Sequence, residues 1–249
     1  MKIVAIIQAR MGSTRFPGKV LKPICGKTMI FHVISRIKEA KRIHEIVVAT
    51  TSSKKDDRLV RKLENIDGVT VFRGSEDDVL DRYYRAAQQI SAEVIIRITS
   101  DCPLIDPAIM DRMIEVYVKR ITERTPVDYL SNTLVRTFPR GLDVEVFSLN
   151  ALERAFHEAK KYYQREHVTP YIWQHPRKFT LECFKSNKDL SFHRWTVDEK
   201  EDLQLIREIY RELYGEGRCF HFKEVIDLFT RRPHLYEINA HITQKELVH

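Results

Sequence analysis

No stretch of this 249-residue chain approaches the ~20 consecutive apolar residues of a membrane-spanning helix, so no span is expected. The opening MKIVAIIQAR is too short an apolar run for a secretory leader and lacks a small-residue cleavage site, which makes the cytoplasm the expected location. The four cysteines, Cys25, Cys102, Cys183 and Cys219, lie far apart and form no CxxC or Cys/His ligand spacing. That argues against structural zinc or a disulfide framework and for small buried or half-buried thiols. A GxGxxG dinucleotide fingerprint is missing, as are internal repeats, linkers and low-complexity segments. The net charge of +7 invites a nucleic-acid reading, but acidic residues interleave with the basic ones almost everywhere, so nucleic acid is not the expected partner.

What is present is a regular alternation. Lys2 to Ala9 (KIVAIIQA) is a nearly continuous apolar run, which predicts a strand buried on both faces. A helical pattern follows through Met29, Ile30, Val33, Ile34 and Ile37. Ile46 to Ala49 gives a second strand, Leu59, Val60 and Leu63 a short helix, and Val69 to Phe72 a third strand. A helix over about 77–89 and a strand from Val94 that ends at Ser100-Asp101 complete the series. Asp106-Pro107 then reads as an N-cap with proline at the first helical position. Four such alternations predict an α/β fold: a doubly wound, mainly parallel sheet, followed by a smaller mixed lobe. We expect a single domain with a nucleotide-binding half (1–125) and an acceptor-binding half (126–249) that is also the candidate for dimerisation. In the second half Asp143 to Phe147 alternates like a half-exposed strand, with helices at about 149–163 and 199–213 and a strand over Phe179 to Phe184. Arg165-Glu166-His167 reads as the head of a helix, and the polar tail after Pro233 as a partner-contacting arm or a frayed end.

Ligand sites in such sheets lie beyond the carboxyl ends of the strands, which singles out the loop after Ala9. From Gln8 to Lys19 it packs glycines, hydroxyls and three cations, Arg10, Arg15 and Lys19, into twelve residues. Glycine lets backbone N–H groups approach a phosphate, and arginine and lysine supply counter-charge. It is not a Walker loop, because five residues separate Gly12 from Gly18-Lys19 and valine follows the lysine. Two aspartates stand at comparable points. Asp101 follows the fourth strand before Cys102-Pro103, the setting of an Asx turn, and Asp198 stands three residues before Glu201, the spacing of a capping box. Either could be a turn or cap residue, or an acid at the site.

The loop resembles the signature of the cytidylyltransferase superfamily, which includes the acylneuraminate and 3-deoxy-manno-octulosonate cytidylyltransferases. The nearest wording is that of the spore-coat polysaccharide branch, QARMGSTRLPGKVL, with Phe16 here in place of the leucine. Similarity continues through Val71 to Ser75, Thr99 to Leu104, Pro139 to Asp143 and Trp195 to Asp198. The resemblance implies a glycosyltransferase-A-type nucleotide-binding core, CTP as donor, a sugar acid or related acceptor, and a homodimer. It implies that Arg10, Ser13, Arg15 and Lys19 hold the triphosphate, with Arg73 near the base and ribose. It further implies that Asp101 and Asp198 bind Mg²⁺, so that these two and Lys19 carry the chemistry. Arg140, Asp143, Glu145 and His167 fall on the acceptor side. Two rival readings are a glycosyltransferase using Asp143-Val144-Glu145 as a DxD-like metal motif, and a non-catalytic nucleotide-binding protein. A metal role predicts that Asp→Asn at either aspartate keeps the melting temperature without metal but loses most activity, the residual turnover needing far more Mg²⁺.

Overall fold

A computed structural model describes residues 1–215 and 217–244. In chain order the elements are β1 (Ile3–Gln8), the small hairpin strands β2 (Pro23–Ile24) and β3 (Lys27–Thr28), α1 (Met29–Lys38), β4 (Glu45–Thr51), α2 (Asp57–Leu63), β5 (Thr70–Gly74), α3 (Val79–Gln89), β6 (Val94–Thr99) and α4 (Pro107–Thr122). They continue with β7 (Tyr129–Ser131), β8 (Glu145–Ser148), α5 (Leu149–Glu158), α6 (Tyr162–His167), α7 (Pro170–Trp173), β9 (Leu181–Cys183), α8 (Lys200–Leu213) and α9 (Phe222–Arg231). The main sheet has seven strands in the order β5-β4-β1-β6-β8-β7-β9. Its first four neighbours are parallel, β8 runs antiparallel to both β6 and β7, and β9 is parallel to β7. The fold is therefore α/β with a mostly parallel sheet flanked by helices on both faces.

The period of two in β1 divides the interior. Ile3, Ala5 and Ile7 enter one core with Ile30, Val33, Ile34 and Ile37 of α1 and Met110, Met113 and Ile114 of α4. Val4 and Ile6 enter the other with Leu80, Tyr83 and Ala87 of α3 and Leu152 and Ala155 of α5. Each fully buried Val, Ile, Leu or Met side chain among them contributes roughly 1.5–3 kcal/mol of transfer free energy, and because both faces of β1 are apolar its register rests on the shapes of the two sets and not on their polarity. A third core, around Trp195, Ile206, Ile209, Phe220 and Phe229, lies under α8 and α9 and forms the smaller lobe.

Capping places several helix starts. Asp106 accepts from the N–H of Ala108 at 2.8 Å and Ile109 at 3.2 Å, as its sequence context predicts, and also takes the N–H of Phe222 at 2.5 Å. Three expectations for the second half are corrected. The segment around Asp143 is not half exposed: β8 is covered on both faces, because Val144 and Val146 enter the core shared with α4 while Phe147 enters the core shared with α5. The predicted helix over 149–163 is two helices, α5 and α6, broken at residues 159–161. Arg165, Glu166 and His167 close α6 instead of opening a helix, since Val168 adopts φ 72° and turns the chain. The end of the polar tail, residues 245–249, lies outside the described residues.

Candidate active site

A cleft of about 1670 Å³ opens at the carboxyl edge of the parallel strands. One wall is the loop after β1, with Arg10, Ser13, Arg15 and Lys19; the floor carries Gln8, Arg97 and Asp101; the far wall carries Arg140, Asp143, Tyr162 and His167. The loop is shaped by its own backbone. Gly18 adopts φ 69°, a conformation that costs a side chain free energy, and its N–H returns to the carbonyl of Met11 at 3.0 Å. Met11 is in turn tied to the Asp56 carboxylate at 2.6 Å. The N–H groups of Gly12, Thr14 and Arg15 find no acceptor among the described residues, as a loop that binds an anion through its backbone requires.

At one end of the cleft Lys19 draws the two sequence-flagged aspartates together. Its Nζ lies 2.8 Å from Asp101 Oδ2, 2.9 Å from Asp198 Oδ1 and 2.8 Å from the carbonyl of Val197. Burial opposes the ammonium, but the two carboxylates outweigh it and raise the Lys19 pKa. Burial likewise acts to raise the Asp101 carboxyl, and Lys19 overcomes it, holding that carboxyl down to about 2. Asp198 is further paired with Arg15 and Arg194, each at 3.0 Å. Neither aspartate plays the bland part open to it in the sequence. The cap of α8 is Glu199, and Asp202 takes the N–H groups of Asp198 and Glu199 at 2.9 and 3.0 Å. The Asp198 side chain is thereby left for the cations. Asp101 accepts from Lys19 at the tip of its turn, and its backbone carbonyl receives the N–H of Val197 at 2.8 Å. Two segments almost a hundred residues apart are thus stitched directly behind the carboxylates.

The oxygens that surround the Lys19 ammonium test whether the implied metal suits this place. Two carboxylates and a peptide carbonyl are hard donors, and Mg²⁺ is commonly held by one or two carboxylates together with substrate phosphates. No cluster of three or more His, Cys, Asp or Glu forms a complete cage among the described residues. The donor set fits a divalent cation that shares its coordination with a nucleotide.

Other expected residues divide into those that line the cleft and those that do not. Arg10 and Arg140 line it and make no side-chain hydrogen bond or ion pair among the described residues. Arg140 is fixed through its backbone, bonded to His193 at 3.1 Å and Trp195 at 2.7 Å. Beside it Gly141, at φ 101°, packs so closely that an added Cβ would lie 2.5 Å from the Trp195 carbonyl carbon. His167 lines the cleft with its pKa lowered by burial, and the nearby Arg97 adds to the effect while Glu166 opposes it. Asp143 lines the cleft but is clasped by Arg136 at 2.6 and 2.9 Å. Glu145 does not face the cleft: it is buried beneath the floor, bonded to Arg97 and to the Tyr129 hydroxyl. Arg73 stands outside the cleft wall, paired with Asp57 at 2.8 Å and with the carbonyls of Thr51 and Ser53. Four further residues at the site were not singled out in the sequence: Gln8, Arg82, Arg97 and Arg194. A charged residue inside the apolar run of β6 was the available sign for Arg97. Its Nη2 donates to Gln8 Oε1 at 3.0 Å, which fixes the amide so that its NH₂ end faces away from the guanidinium.

A mostly parallel α/β sheet with cations and paired carboxylates at its carboxyl edge defines a nucleotide-binding protein of the nucleotidyl-transfer type. The cytidylyltransferase family profile matches residues 4–239, and the chain belongs to that family. It is 34% identical to the spore coat polysaccharide biosynthesis protein SpsF of Bacillus subtilis over 238 residues, 93% of this chain and 95% of that one. A 3-deoxy-manno-octulosonate cytidylyltransferase of Geobacter sulfurreducens is 42% identical over 115 residues, 46% of this chain and 44% of that one. Among solved structures, a cytidylyltransferase from Leptospira borgpetersenii superposes with a TM-score of 0.89 at 33% identity, covering 99% of this chain and all of that one.

Proposed function

We propose that this protein transfers the cytidylyl group of CTP to a sugar acid, with release of pyrophosphate and with Mg²⁺ as its cofactor. The observation that carries the reading is the convergence of Lys19 with Asp101 and Asp198 at the end of a cleft whose loop wall also presents Arg10 and Arg15. An acceptor oxygen must attack the α-phosphorus in line with the departing pyrophosphate, so charge grows on the leaving oxygens. Arg10, Arg15 and Lys19 stand where they offset it. When bound, the divalent cation supplies further charge neutralisation at the phosphates. Arg140 is an acceptor-side cation without an ionic partner among the described residues, and a guanidinium grips a carboxylate bidentately, which favours an acidic acceptor. His167, kept neutral by burial, has the protonation state needed to receive the acceptor's hydroxyl proton. Cytosine as the base rests on family membership. The glycosyltransferase reading is not favoured here, because Glu145 lies below the floor, bonded to Arg97 and the Tyr129 hydroxyl, which leaves Asp143 without the second carboxylate of the motif.

Pyrophosphate release, measured with the four ribonucleoside triphosphates against a panel of sugar acids and neutral sugar phosphates, tests the proposal. The expected result is release with CTP and an acidic sugar, dependent on a divalent cation. Release with another nucleotide alone would overturn the choice of base, and release with neutral acceptors alone would overturn the role of Arg140.

A further inference from the structure

We infer that Lys19 is an exchangeable counter-ion that closes the metal seat until a nucleotide arrives, so that the divalent cation and the triphosphate bind as one unit. The inference rests on the nucleotidyl-transfer reading above. The Lys19 ammonium lies within 2.9 Å of three oxygens, from Asp101, Asp198 and Val197, and so occupies the point where those donors converge. A divalent cation cannot share that point with an ammonium at hydrogen-bond distance from the same oxygens.

Two features make the occupancy exchangeable rather than structural. The seat does not depend on Lys19 for its shape. The Val197 N–H on the Asp101 carbonyl, and Asp202 on the N–H groups of Asp198 and Glu199, hold both acidic segments from behind. Arg194 keeps Asp198 Oδ2 through a guanidinium that Asp202 anchors at 2.9 Å. Lys19, by contrast, reaches the seat on a flexible four-carbon stem from a loop that lines the same cleft, and rotation of that stem carries the ammonium into the lumen where Arg10 and Arg15 stand. The phosphates of an incoming nucleotide give the ammonium an alternative partner of higher charge density. Lys19 then leaves the carboxylates at the moment when phosphate oxygens are present to complete a coordination shell that two carboxylates cannot fill. Without nucleotide, the same lysine competes with the free cation.

The test is binding of Mn²⁺ alone, followed by electron paramagnetic resonance and by its effect on the melting curve, in the wild type and in Lys19→Met, Lys19→Gln and Lys19→Arg. Loss of the ammonium in the Met or Gln variant is expected to tighten nucleotide-free Mn²⁺ binding about ten- to a hundredfold. Lys19→Arg keeps a competing cation and is expected to bind Mn²⁺ as weakly as the wild type. Mn²⁺ should also raise the melting temperature of the neutral variants more than that of the wild type. Equal or weaker Mn²⁺ binding in whichever neutral variant folds, or the same gain in Lys19→Arg, overturns the exchange. Cation-dependent pyrophosphate release by the wild type with no gain in the neutral variants leaves the enzymatic reading standing. A gain without any release under all substrate conditions removes the enzymatic reading and leaves the exchange.

Discussion

Replacing Asp198 by asparagine preserves shape and removes one negative charge from among three cations. The side chain is only 11% exposed and accepts from Lys19 at 2.9 Å and from Arg15 and Arg194 at 3.0 Å each. The sequence alone led to the expectation of an unchanged melting temperature without metal; the structure revises it. Removing one partner of a buried ion pair costs about 3–5 kcal/mol when the other is left uncompensated. Here none of the three cations is stranded. Arg194 retains Asp202, Lys19 retains Asp101 and the Val197 carbonyl, and Arg15 retains Glu199 at 3.7 Å. The cleft also admits solvent, so the expected loss falls to about 1.5–3 kcal/mol, the range for hydrogen bonds to charged groups. For a chain of this size that is a drop of roughly 3–12 °C in melting temperature without metal. Differential scanning calorimetry in the presence of a chelator measures it. In the double variant with Lys19→Met the loss should be smaller than the sum of the two single losses, since the residues share one cluster. A melting temperature within a degree or so of wild type, with intact cooperativity, would refute the view that Asp198 is held by these cations. Pyrophosphate release by the same variant should fall severely.

Gly141→Ala is expected to destabilise by more than about 3 kcal/mol, because a positive φ and a contact with backbone atoms that cannot rotate away act together; a wild-type urea midpoint would contradict this. Burial holds the His193 imidazole down to about 4, against an ordinary 6.5. The unfolded chain therefore binds the extra proton first, and stability should decline as pH falls from about 6.5 to about 4, by up to roughly 3 kcal/mol. Chemical denaturation of His193→Phe across that window should show a flatter profile than wild type, and an identical slope would remove His193 as the cause. Lys19→Ala is expected to weaken CTP binding about ten- to a hundredfold in calorimetry, through loss of a charge-assisted contact. Unchanged affinity in a folded variant would take Lys19 out of the nucleotide site.

The strands of the first half were legible because they are buried on both faces and so read as uninterrupted apolar runs, from Ile3 to Ile7 and from Ile46 to Ala49. Asp106-Pro107 was legible because the capping chemistry is local. The second half was harder for physical reasons. The break between α5 and α6 falls at Ala159-Lys160-Lys161, which holds neither glycine nor proline to mark it. The burial of β8 is set by α4 on one face and α5 on the other, and that layering is not written in the strand's own alternation. At the site, the loop and both aspartates could be found from their places after strands and before a helix. The division of labour between Asp198 and Asp202 could not, since they stand four positions apart and either carboxylate could take the N–H groups at the start of α8. Gln8 and Arg194 gave no local sign, because what distinguishes them is which side chain lies opposite.

The contact between Gly141 and Trp195 has a practical consequence for redesign. It fuses the backbone beneath Arg140 to the strand-like segment that leads to Asp198, so neither side chain can be relocated by re-routing the chain without disturbing the other. The wall built from α6 has no backbone contact of this kind with the carboxylate segments among the described residues, and Tyr162 on it stands 68% exposed at the cleft. On the proposed function, efforts to alter acceptor choice should therefore randomise Lys161, Tyr162 and Glu166 and leave residues 140–141 and 194–198 as they stand.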